Sequence, residues 1–189
     1  MDNKNLNPGE TKAPSSVQSV NDRSDLATLK QQWPANSAEG LCLKRYGDRE
    51  HFLKFFNPGM QNYFCQPRFY DYIFCGGAPE LGVVERAYGR PCLESWLMIQ
   101  LADLFEFFSS QDALTTQQLE QAAGLIANQF SRMKISEFMY FMQRVKAGCY
   151  GHFYGHPNLL HITVALQDFR NYADRCADAI ERERKFRAL

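Results

Sequence analysis

The chain has no apolar run longer than a few residues. A helix that crosses a bilayer needs roughly 18 or more, so a helical membrane protein is excluded. Residues 1–10 are polar and contain nothing like the apolar stretch of a secretory signal, which makes a cytoplasmic location the expectation. Six cysteines, at positions 42, 65, 75, 92, 149 and 176, include no Cys-x-x-Cys pair. With no export signal, a disulfide framework is not expected either. There is no internal repeat and no familiar catalytic motif. The chain therefore reads as non-enzymatic, with no cofactor implied and no metal site assigned. Net charge is missing too: 21 Lys and Arg stand against 21 Asp and Glu.

What is present is a chain of 189 residues, 45% hydrophobic and 14% aromatic, enough for one domain with a real core and a tail. The zero net charge hides an asymmetry. Residues 91–130 carry five acidic side chains and no Lys or Arg, whereas residues 131–189 carry ten basic against six acidic. Two readings of this dipole are open: one face meets nucleic acid and the other a basic protein, or the two segments pair with each other.

Residues 1–40 are expected to be a flexible tail, polar and Pro/Ser-containing. A short helix over 25–33, with Leu26, Leu29 and Trp33 at helical spacing, ends at Pro34. Residues 41–189 are expected to form a single helical domain. Its first part, 41–77, is an irregular aromatic-rich segment, with one or two helical turns over 49–56 and a short strand over 70–74. The remainder, 78–189, is the helical core. Pro79 is placed at the first position of a helix that stops at Gly89, and Pro91 opens the next. That helix presents Leu93, Trp96, Leu97, Leu101, Leu104, Phe105 and Phe108 inward, with Glu94, Gln100, Asp103 and Glu106 outward. Thr115 and Gln118 form a capping box for a helix through Phe130, in which Gly124 would mark a close crossing. Ser136 is expected to cap a further helix, ended by Gly148. Asn158 caps the last one, whose seam runs Ile162, Leu166, Phe169, Ala173, Cys176 and Ile180. The fold class expected is mostly α: a small bundle of about five to six helices with a long C-terminal helix.

The stretch Gly148-Cys149-Tyr150-Gly151-His152-Phe153-Tyr154-Gly155-His156-Pro157 stands between the last two helices. Its glycines and proline demand irregular backbone, yet it carries three aromatics and two histidines. Four readings compete. It is a turn whose rings plug the core. It contacts nucleic acid, with Arg144 and Lys146 supplying charge and the tyrosines supplying stacking faces. It docks a protein, since Tyr and Arg are enriched at binding hot spots. Or Cys149, His152, His156 and His161 hold a metal, at a superficially zinc-like spacing. The candidate contact residues are Arg144, Lys146, Tyr150, His152, Tyr154, His156, Arg170 and Arg175.

With its flanks (Lys134 to Phe138, Arg144 to Gly155, Ile162 to Leu166 and Phe169, with Pro91 to Glu94 and Leu101 to Leu104), this stretch resembles a family of uncharacterised small proteins from Bacteroidetes, their phages and mobile elements. The resemblance covers residues 78–180 and is most specific over 146–155. A fainter likeness, in the Gly-x-Tyr-Gly-x-x-Tyr/Phe pattern between helices, is to phage replication proteins of the helicase-loader type. These resemblances imply a DNA-associated accessory protein of a mobile-element or phage-derived replication system. Its partners would be DNA or another replication or mobile-element protein, with no membrane involved. The alternative is a protein–protein adaptor with no nucleic-acid role.

Overall fold

A computed structural model describes residues 26–108, 115–151 and 159–188. Among the described residues ten α-helices follow one another: α1 (Leu26–Gln32), α2 (Ala38–Tyr46), α3 (Arg49–Phe55), α4 (Gln61–Phe64), α5 (Tyr70–Cys75), α6 (Leu81–Tyr88), α7 (Arg90–Phe107), α8 (Thr116–Gln129), α9 (Ile135–Lys146) and α10 (Leu159–Arg187). Single 3-10 turns at Pro58–Met60 and Pro67–Phe69 flank α4. Among the described residues there is no strand, only an isolated antiparallel bridge between Glu80 and Lys134. The mostly helical class is therefore as expected. Six of the helices reach eight residues or more, and the last is the longest.

Within the aromatic-rich segment the helical turns expected over 49–56 form as α3, whereas the rest departs from its expected irregularity. Asp48 caps α3 by accepting the His51 N–H at 2.9 Å, and Asn57 caps the following turn through the Gly59 N–H. Residues 70–74, expected as a strand, form most of α5. β-rich composition is a preference for half-buried surface rather than a backbone instruction. Here the helix buries Ile73 and Phe74 against α9 and α10. The fold also begins before residue 41. Leu29 of α1 is buried, and α2 starts at Ala38, capped by Ser37, so residues 26–40 belong to the domain rather than to a tail.

Helix α7 is the spine. Trp96, Leu93, Leu97, Leu101 and Leu104 are fully buried, and Phe108 is partly so. Gln100, placed on the outer face by its polarity, is buried as well. Its amide donates to the Phe56 carbonyl at 2.9 Å, because the 56–61 segment covers that side of α7. Gly89 sits at φ +90 and joins α6 to α7, a conformation that costs glycine least. Pro79 does not open α6. Its carbonyl instead accepts the Ile135 N–H at 2.9 Å, within the bridge. The Thr115–Gln118 capping box forms as expected. A Cβ at Gly124 would meet Glu94 Oε1 at 3.6 Å, ordinary contact, so no close helix crossing requires that glycine.

Ser136 does not cap α9. It is buried in the first turn and donates to the Ile73 carbonyl at 2.9 Å, while Glu137 caps the helix by accepting the Lys134 N–H at 2.9 Å. In α10 the expected seam buries Ile162, Leu166, Phe169 and Ala173, then loosens, with Cys176 and Ile180 partly buried. The expected cap Asn158 lies outside the described residues.

Candidate functional site

Helix α9 ends in a tight turn. The Gly148 N–H donates to Val145, the Cys149 N–H to Arg144 and the Gly151 N–H to Gly148. Gly148 and Gly151 both adopt positive φ, +75 and +91. This turn folds Tyr150 back onto the bundle, where its ring packs on Phe141 with centroids 5.4 Å apart. Three further candidates, His152, Tyr154 and His156, lie outside the described residues. Among those described, no group of three or more His, Cys, Asp and Glu is placed to hold a metal ion.

The cations expected to act together go to separate places. Arg144 lies among tyrosines: its Nε donates to Tyr150 Oη at 3.2 Å and its Nη1 to Tyr140 Oη at 3.5 Å. Its guanidinium stands 4.4 Å from the Tyr172 ring centroid. Lys146 turns to the other side of α9. Its Nζ reaches Asp103 at 2.5 Å and Gln61 at 3.0 Å, beneath the Phe107 ring, and only 12% of its side chain is exposed. Gln61 in turn donates to Gln100 at 2.6 Å. For this pair the acidic and basic segments meet each other. Arg170 lines a polar cavity of about 350 Å³ with Arg132, Glu137 and Asp174. Arg175 is exposed on α10, and Arg182 donates to the Asp178 carbonyl of its own helix.

Electrostatics around Arg144 favour donors. Burial works against the guanidinium charge, but the Tyr140 and Tyr150 hydroxyls outweigh it and hold the pKa above its ordinary value. Its hydrogen bond with Tyr140, reinforced by burial, pushes the Tyr70 phenol up to about 12. Burial raises Tyr150 and Tyr172 as well. The Tyr70, Tyr150 and Tyr172 hydroxyls therefore stay protonated at neutral pH. Tyr140 and Arg144 are neighbours at i and i+4 on one helix face, a spacing visible in the sequence. Nothing in the sequence brings Tyr70 and Tyr172 to them from other helices.

A second feature carries no sequence motif. A groove of about 850 Å³ opens between α2, the 77–80 segment and α6. Ala78, Val83 and Cys42 form its buried floor, and Leu41 stands 53% exposed at its edge. Lys44, Arg45, Arg86 and Lys134 line it, with Glu80 the one lining carboxylate among the described residues. Arg86 is held by Glu39 at 2.6 Å and Lys134 by the Phe74 carbonyl at 2.7 Å. Three consecutive apolar residues, Leu41, Cys42 and Leu43, are the one sequence signal. A helix cannot turn all three inward equally, and Leu41 is the one left outside.

Among the described residues, no helix is long and apolar enough to cross a membrane. The chain matches no curated protein and no solved structure. Its residues 112–188, under half the chain and the stretch that contains α8, α9 and α10, are similar to a family of unknown function, DUF6633.

Proposed function

We propose that the chain is a non-enzymatic adaptor that docks an acidic, apolar segment of a partner protein in the groove between α2 and α6. The observation that carries this reading is the pairing of an apolar floor and an exposed Leu41 with Lys44, Arg45 and Lys134 against the lining carboxylate Glu80, the fourth cation, Arg86, being paired with Glu39. Apolar burial would supply most of the affinity, and the charged rim would select the partner and its orientation. Fluorescence anisotropy with two labelled peptide pools tests it, one rich in Leu and Glu and one with Lys in place of Glu. The acidic pool should bind, the Lys pool should not, and Leu41→Asp or the pair Lys44→Glu and Arg45→Glu should weaken binding at least tenfold. Equal binding of both pools, or binding untouched by these substitutions, would sink the reading.

DNA association, in a replication-accessory role, is the second reading. It is favoured by Arg170 and Arg175, which form no ion pair among the described residues. It predicts binding of single- or double-stranded DNA at about 50 mM salt that falls steeply as salt rises, and that is lost in the double variant Arg170→Ala, Arg175→Ala. Binding to neither DNA form would remove it.

A further inference from the structure

Around Arg144 the supply of hydrogen-bond donors exceeds that of acceptors. A guanidinium carries five N–H donors and each phenol one O–H, and a fully satisfied site must find an acceptor for every one. Tyr140 Oη accepts from Arg144 and donates to Tyr70 Oη at 3.1 Å. Tyr150 Oη accepts from Arg144 Nε. The remaining donors, the second N–H of Arg144 Nη1, both on Nη2 and the hydroxyl protons of Tyr70 and Tyr150, meet no protein acceptor among the described residues. No carboxylate comes within ion-pair distance of Arg144 among them either, in contrast with Lys146, Arg86, Arg90 and Arg184. The rings fix the geometry. Tyr172 lies over the guanidinium at 4.4 Å, and Tyr140 and Tyr150 stand at 5.8 and 5.7 Å. A guanidinium stacked on a ring keeps its edge N–H groups for a partner in its own plane. Tyr140 is buried, whereas Arg144, Tyr70, Tyr150 and Tyr172 are only partly so, leaving the cluster accessible from solvent.

We infer that Arg144, with the hydroxyls of Tyr70 and Tyr150, forms a binding site for a phosphate oxyanion. A tetrahedral anion offers several acceptor oxygens to a bidentate guanidinium edge and to flanking hydroxyls. It supplies both the acceptors and the negative charge that the cluster lacks. The site lies apart from the α2–α6 groove and is independent of the proposed docking function. Inorganic phosphate, a phosphomonoester and a phosphodiester backbone share this chemistry.

The test is an NMR titration of the full chain with inorganic phosphate, with sodium chloride at matched ionic strength as control. Phosphotyrosine and a short single-stranded oligonucleotide are run in parallel to tell which source binds best. Phosphate should shift the Arg144 Nε–H resonance and chloride should not. Arg144→Lys keeps the charge but loses the planar fork, so phosphate binding should weaken at least tenfold. The double variant Tyr70→Phe, Tyr150→Phe keeps every ring and removes only the two hydroxyls, so it addresses the site even if Arg144 variants unfold. Its binding should also weaken at least tenfold. No response to any of the three ligands, a response equal to that of chloride, or unaltered binding in the double variant would overturn the inference.

Discussion

The two tryptophans show how much a single polar atom weighs. Trp96 is fully buried on α7, and its indole N–H donates to the Phe56 carbonyl at 2.8 Å. Trp33, just past α1, is partly buried, and its indole nitrogen is shielded from solvent with no partner among the described residues. Replacing Trp96 by Phe removes a satisfied buried bond and leaves a void, a cost of about 1–3 kcal/mol. Replacing Trp33 by Phe removes a donor already shielded from water without compensation, so stability should change by less than about 0.5 kcal/mol. Urea denaturation of the two variants tests the ranking, which fails if position 33 is the more sensitive. The same accounting separates Lys146 from Arg144, which look alike in the sequence as basic residues two apart. One ends on Asp103 and Gln61, the other among phenols. A helix turns about 100° per residue, so neighbours two apart face opposite ways, and only the packed elements reveal what each one meets.

Helix α9 illustrates how far an element can be read from its residues. Ser136 has the right chemistry for a cap, but the carboxylate one residue later takes that role at the Lys134 N–H, and Ser136 is drawn inside by the Ile73 carbonyl. Burial pushes the Glu137 carboxyl up to about 7, opposed by the Lys134 N–H and charge and reinforced by Asp174 and Glu80. Its pKa is thus higher folded than unfolded, so the folded state binds more protons between pH 4.5 and about 7. The stability this group confers is complete below about pH 4.5 and is lost as pH rises through 7. Glu137→Gln keeps an oxygen for the cap and does not titrate. It should match the parent near pH 4.5 and exceed it by about 1–3 kcal/mol at pH 8, read from denaturation at each pH; a gap independent of pH would refute the assignment. Helices α7, α8 and α10 were legible because their apolar positions recur every three or four residues. Apart from the helical turns over 49–56, residues 41–77 were not, because rings crowd the segment and its helices are only four to nine residues long. Their conformation is settled by what they pack against. The groove and the tyrosine cluster were illegible for the same reason: each draws on helices far apart in the chain.

At the scale of the whole molecule, the segment similar to DUF6633 and the folding unit do not coincide. Residues 112–188 contain α8, α9 and α10, yet the inner face of α9 is completed from outside that segment. Trp96 of α7 packs on Phe138 with centroids 5.5 Å apart, and Phe74 of α5 packs edge-on against Tyr140 at 5.7 Å. Ser136 needs the Ile73 carbonyl, Lys134 the Phe74 carbonyl and Lys146 the Asp103 carboxylate. Cutting the chain before residue 112 would uncover Phe138 and Tyr140, now buried against Trp96 and Phe74, and orphan those polar groups together. Large exposed apolar area and unpaired buried groups each outweigh the few kcal/mol by which domains are stable. A fragment of residues 112–188 should therefore retain helical signal without a cooperative thermal transition, whereas a chain of residues 26–189 should unfold in a single transition, both followed by circular dichroism. A sharp, cooperative transition in the shorter fragment would mean that α5 and α7 merely cover a self-sufficient three-helix unit. In that event, phosphate binding at Arg144 would have to survive without Tyr70.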